Sequence, residues 1–122
     1  MDESHGHYQS LSRDLSLPAK ELRALTPDVW KGFADLSRAA MAEGELPAKY
    51  KELIALSIAI ARECDGCISS HARGAARKGV TPQEVAEMVG VTILMLGGPG
   101  TVYGPRAWQA FNEFYTPQVD EG

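Results

Sequence analysis

A chain of 122 residues that is 44% hydrophobic and 23% charged has the size and balance of one folded domain, which excludes a disordered protein away from the ends. Sixteen acidic against twelve basic side chains give a net charge of −4, and no basic run carries interleaved aromatics, so a nucleic-acid partner is excluded. The opening Met1-Asp2-Glu3-Ser4-His5-Gly6-His7 has neither the cationic end nor the apolar stretch of a signal peptide, and the longest apolar runs, such as Leu53 to Ala61 interrupted by Ser57, are too short to span a bilayer. A cytoplasmic protein with no membrane partner is expected.

Residues 1–15 read as a flexible N-terminal segment ahead of one helical domain at 16–117, with a short extra helix near Pro18 to Leu25. His5 and His7 alternate as a metal-binding pair could, but at a polar terminus they read as ordinary solvated residues. Thr26-Pro27-Asp28 places a capping hydroxyl before a first-turn proline and an acid. The helix that follows should turn Val29, Trp30, Phe33, Leu36 and Met41 inward and stop near Gly44. Pro47 opens the next helix, whose Leu53, Ile54, Leu56, Ile58 and Ile60 predict a central, nearly buried element.

That pattern fails at Cys64-Asp65-Gly66, where Asp65 can cap a helix running to Gly79 with Arg77 and Lys78 in its last turn. Thr81-Pro82-Gln83-Glu84 is a capping box with proline at the first helical position. Its helix carries Val85, Met88, Val89, Ile93, Leu94 and Leu96 and stops at Gly97-Gly98-Pro99-Gly100. A last helix is predicted from Val102 to Tyr115, with Trp108, Phe111 and Phe114 on the packed side. No window alternates with period two, so the class is all-α, a bundle of five to six helices. The apolar surface of the Val85–Leu96 helix exceeds what one thin layer of neighbours would cover, which points to self-association or to a wholly internal core.

The chemistry concentrates in Cys64-Asp65-Gly66-Cys67-Ile68-Ser69-Ser70-His71. Three residues turn a helix by about 300° and four by about 400°, so Cys64, Cys67 and His71 fall along one stripe. In a reducing compartment, paired cysteines point to catalysis or metal rather than to a structural staple. At a helix N-terminus the dipole and free N–H groups favour thiolate over thiol. His71, one turn after Cys67, is the candidate base, which favours Cys67 as the attacking sulfur and Cys64 as the resolving one. The reverse assignment, with Cys64 attacking as in thioredoxin-type motifs, stays open. So does a zinc site of both sulfurs and the imidazole, with Glu52 or water as fourth ligand. Glu52, an acid among apolar neighbours, must find a partner or shift its pKa.

Glu52 followed twelve residues later by Cys-x-x-Cys-x-x-x-His resembles the active-site signature of the alkylhydroperoxidase-D-like branch of the carboxymuconolactone decarboxylase family. Lys51-Glu52-Leu53-Ile54-Ala55-Leu56, the Gly79-Val80-Thr81-Pro82-Gln83-Glu84 turn and Met95-Leu96-Gly97-Gly98-Pro99 resemble it too. The resemblance implies a helical bundle assembled as a homotrimer or homohexamer. It implies a thiol peroxidase or disulfide oxidoreductase whose Cys67 attacks a hydroperoxide, Cys64 resolves it, and Glu52 and His71 relay protons. The partners it implies are a hydroperoxide or disulfide oxidant and an external dithiol, thioredoxin-like or lipoyl; no cofactor is called for. One departure stands out: the family's best-known peroxidases carry a further histidine where this chain has Gly66, which predicts weaker peroxide turnover or a different oxidant. The other readings are an oligomeric binding or metal module without redox turnover, and a decarboxylase-like enzyme using Glu52 and His71 as acid and base.

Overall fold

The computed structural model describes residues 6–117. In chain order they form α1 (His7–Leu25), α2 (Pro27–Met41), α3 (Ala48–Ala61), α4 (Asp65–Arg77), α5 (Pro82–Leu96) and α6 (Gly98–Phe114). No strand occurs among the described residues, as the absence of period-two alternation requires. None of these helices is long and apolar enough to cross a membrane.

Helix α4 lies at the centre, packed against α1, α3 and α6, while α3 also meets α5 and α6 and α5 lies along α6. Its inner face is made of Ile68, Ala72 and Ala75, all fully buried. The two alanines let the neighbouring helices come close. Leu56 and Ile60 of α3, Val85 of α5 and Phe111 of α6 close the core around them. Full burial of a side chain of this size contributes about 1.5–3 kcal/mol.

Helix α5 starts as its sequence dictates. Thr81 Oγ1 accepts from the Glu84 N–H at 3.1 Å while Glu84 Oε1 accepts from the Thr81 N–H at 2.9 Å, and Lys49 pairs with the same carboxylate at 3.1 Å. At the other end Gly97, at φ +71°, ends α5. The chain does not pause there: α6 starts at once at Gly98 with Pro99 in its first turn, ahead of the expected start at Val102. Phe111 is buried and Phe114 partly so, but Trp108 remains 40% exposed instead of packed.

Four other expectations are corrected. Residues 7–15 are not a loose segment but the first half of α1, which runs through Pro18 to Leu25. Its first turn is held from far away: Glu113 Oε1 accepts from the N–H groups of Tyr8 and Gln9 at 2.9 and 3.0 Å, and Gln9 Nε2 donates to the Glu113 carbonyl at 2.6 Å. Tyr8 is fully buried beneath this clasp. Thr26 does not cap α2, because its hydroxyl donates to the Leu22 carbonyl and closes α1 instead. Helix α2 buries none of its residues; Val29, Phe33 and Leu36 are each about two-thirds exposed, since among the helices of the described residues α2 touches α1 and α3 alone. Finally, α3 is half-buried rather than enclosed. Leu56, Ala59 and Ile60 face the core, but Ile54 and Ile58 stand 48% and 54% exposed on the side away from it.

Candidate active site

The site begins in the three residues that join α3 to α4. The Glu63 N–H donates to the Ile60 carbonyl at 3.1 Å and the Cys64 N–H to the Ala59 carbonyl at 3.2 Å, the paired bonds of a Schellman closure. This closure needs a left-handed residue at its apex. Glycine is the usual occupant, but here it is Glu63 at φ +54°, at a cost of about 1–2 kcal/mol for a residue with a Cβ. Cys64 thus completes the end of α3 and at the same time caps α4, its Sγ accepting from the Cys67 N–H at 3.3 Å. Asp65, expected as the cap, occupies the first helical position instead. A sulfur holds the place that oxygen side chains usually take.

This geometry divides the pair. Cys64 is partly buried and Cys67 exposed, both as free thiols. The Cys64 thiol is pushed below the ordinary cysteine range, first because the Cys67 thiol donates to it, then through the N–H groups of Cys67 and Gly66 and the charge of Arg62. Cys67 is pushed up, because its own proton is held by Cys64 and because burial and the Cys64 charge oppose ionisation. The expected helix-terminus effect therefore acts on Cys64, where the N–H groups point, and not on Cys67. Of the two sulfurs, Cys64 is the one biased toward thiolate.

One turn further on, His71 Nδ1 lies 3.0 Å from Glu52 Oε2. Glu52 comes from α3 and its side chain is only 12% exposed, against 31% for His71. The acid on the crowded helix has found its partner, as its apolar surroundings demanded. With Nδ1–H donating to the carboxylate, Nε2 is left as the acceptor. Cys67 and His71 line the same open cavity of about 220 Å³, with Ala55, Ile58, Ala59 and Arg62 as its other walls. The fold therefore joins Cys64 to Cys67 and His71 to Glu52 directly, and brings Cys67 and His71 to one solvent-facing cavity. Helical arithmetic could not place Glu52, because the break at residues 62–64 intervenes.

Behind the sulfurs, α4 is fastened to the rest of the bundle. Asp65 Oδ1 accepts from the Tyr8 hydroxyl at 3.3 Å, and its carboxylate pairs with Arg106 at 3.4 Å. Burial raises the Tyr8 phenol, so it stays protonated and donating. Ser69 Oγ donates to the Tyr8 carbonyl at 2.8 Å and lies 2.7 Å from Ser12 Oγ. Sequence reasoning missed Tyr8, Ser12, Arg62 and Arg106; they lie on other elements or outside any motif, and no local spacing marks them. Of the alternating histidines, His5 lies outside the described residues and His7 sits edge-on to the Tyr8 ring. Among the described residues no group of three or more His, Cys, Asp or Glu side chains is gathered to hold a metal ion.

The chain is similar to known proteins over most of its length. The model of the Carboxymuconolactone decarboxylase family matches residues 27–113. An uncharacterised protein of Cupriavidus necator is 37% identical over 86 residues, covering 70% of this chain and 76% of that protein. Uncharacterised protein 4 in the cox locus of Paracoccus denitrificans is 32% identical over 81 residues, covering 66% and 73%. In three dimensions the chain superposes with a TM-score of 0.86 on the apo crystal structure of lpg0406, a carboxymuconolactone decarboxylase family protein from Legionella pneumophila. The two share 34% identity over 89% of this chain and 97% of that one. With six helices among the described residues, its paired cysteines at the head of α4 and a match that spans α2 to α6, this chain belongs to the carboxymuconolactone decarboxylase family.

Proposed function

We propose that this protein is a cytoplasmic thiol peroxidase or disulfide oxidoreductase that cycles Cys64 and Cys67 between dithiol and disulfide. The observation that supports it most is the pair of free thiols at the head of α4, with Cys64 Sγ accepting from the Cys67 N–H, beside a cavity that also presents a Glu52-held imidazole. In the cycle, Cys67 passes its proton to His71 Nε2 and its sulfur attacks one peroxide oxygen. The O–O bond breaks, Cys67 becomes a sulfenic acid, and the departing alkoxide takes the proton from His71. Cys64, already biased toward thiolate, then attacks the Cys67 sulfur, forming the S–S bond and expelling hydroxide, which takes a proton from solvent and leaves as water. An external dithiol reopens the disulfide and is itself oxidised to one. Exposure of Cys67 and its place beside His71 support it as the attacking sulfur, and the charge on Cys64 suits the resolving step.

Reduced protein treated with a small excess of hydroperoxide should lose two free thiols and gain one disulfide. Cys67→Ser should lose neither, and Cys64→Ser should leave a sulfenic acid on Cys67 that a dimedone-type reagent traps. If the sulfenic acid instead forms on Cys64 in Cys67→Ser, the order of attack reverses; if both thiols outlast hydroperoxide and disulfide oxidants alike, the reading fails. The Glu52–His71 pair favours one second reading, an acid–base enzyme of the decarboxylase kind, for which replacing both cysteines would leave turnover intact. We further propose a homotrimer or homohexamer. The exposed Ile58, Val91, Leu94 and Met95 on α3 and α5, and the apolar side of α2, support an assembly that covers them; light scattering gives the count.

A further inference from the structure

The carboxylate of Glu52 reaches His71 across a gap in α4, and that gap is Gly74. A Cβ built at Gly74 would fall 2.5 Å from Glu52 Oε2, 2.6 Å from its Cδ and 2.7 Å from its Oε1. No Cβ tolerates such contacts. Nothing else within 4 Å would be tighter, so the missing side chain serves one purpose: the carboxylate lies flat on the bare backbone of α4, three residues past the imidazole that it holds. In an interior helical position glycine is otherwise a poor choice, since alanine would order the helix better.

We infer that Gly74 is a positioning residue for the Glu52–His71 pair: it keeps open the slot through which Glu52 reaches His71 Nδ1, and any side chain there unseats the carboxylate. The obstacle is the tip of a flexible side chain, not backbone, so the fold can accommodate a methyl group by turning Glu52 away. Stability and site chemistry should then move in opposite directions. This rests on the proton-relay reading above.

The test compares the full-length wild type with Gly74→Ala, Glu52→Gln, Glu52→Asp and the double variant Gly74→Ala/Glu52→Asp. Gly74→Ala should melt at or above the wild-type temperature. Yet it should lose the far-downfield Nδ1–H proton resonance of a carboxylate-bound histidine, and its hydroperoxide-driven thiol loss should slow about a hundredfold, as for a small misplacement of a reacting group. The shorter carboxylate of the double variant leaves room for the methyl group, so part of the rate and the resonance should return relative to Gly74→Ala. If Glu52→Gln slows thiol loss and abolishes the resonance but Gly74→Ala changes neither, the inference about Gly74 is overturned. It is equally overturned if Gly74→Ala melts well below wild type and the double variant restores neither resonance nor rate, because Gly74 would then act on the fold. If Glu52→Gln itself keeps the wild-type rate, it is the relay that fails, while the resonance still reports whether Gly74 governs the contact.

Discussion

The two short links on either side of α4 are built on the same hydrogen-bond plan, yet they differ in every residue that matters. After α4, the Gly79 N–H donates to the Ala76 carbonyl at 3.3 Å and the Val80 N–H to the Ala75 carbonyl at 3.0 Å, with Gly79 at φ +85°. Val80 is fully buried, and Thr81 then caps α5 through oxygen. Before α4, the apex is Glu63 instead of glycine, and one residue, Cys64, both finishes the turn and caps the next helix through sulfur. The later link follows the preferred chemistry at each step. The earlier one departs from it twice within two residues, at the place where the thiols sit. Strain concentrated beside reactive groups is a common mark of a functional site.

The largest test of this contrast exchanges the apex residues. Gly79→Ala should cost about 1–2 kcal/mol, because a Cβ is forced into the left-handed region. Glu63→Gly should have the opposite sign, a gain of under about 1 kcal/mol after the added freedom of the unfolded chain is subtracted. Chemical denaturation of both variants measures the pair; a loss in Glu63→Gly would break the comparison.

The caps come next. Thr81→Ala should cost about 1 kcal/mol. Cys64→Ser, which sets oxygen in place of sulfur, should leave stability unchanged or raise it by a few tenths of a kcal/mol while abolishing the disulfide. Denaturation with a parallel thiol count reads both outcomes.

The smallest effects are those of pH, and the two links respond in different windows. Glu84 is held low, first by the Thr81 N–H and then by Lys49, so its contribution is full above the unfolded carboxylate pKa and fades as pH falls through its lowered folded value. Cys64 is also lowered; its contribution is present above the unfolded thiol pKa and is lost as pH falls through the folded one. Cys67 is raised and acts with the opposite sign, full below the unfolded thiol pKa and lost as pH climbs through its folded value. In Cys67→Ala, Cys64 loses its largest stabilising donor, so its alkylation profile should shift to higher pH. An unmoved profile would show that the two sulfurs do not share a proton.

The all-α class, the Thr81–Glu84 box and the placing of Cys67 and His71 on one helix with Cys64 at its head were legible because each depends on neighbours within four residues. The Glu52–His71 contact came only through family resemblance, since helical spacing carries no information across a break. The start of α1 was hidden for another reason: its cap is Glu113, 105 residues away. The exposed side of α2 shows the limit of periodicity, which says that a face is apolar but not what will cover it. The capping role of Cys64 was not legible because cysteine is not among the residues that usually cap helices, and Asp65 beside it is. Gly74 carried no local signal at all. Its role is visible only where another helix lays a carboxylate across it.

The grip of Glu113 on the first turn of α1 also sets an order of events during synthesis. Tyr8 and Gln9 leave the ribosome about 105 residues ahead of the carboxylate that receives their N–H groups, a wait on the order of ten seconds at ordinary elongation rates. Through that interval the helix that backs the sulfur-bearing rod has no clasp at its head, and only the emergence of the final helix fastens it.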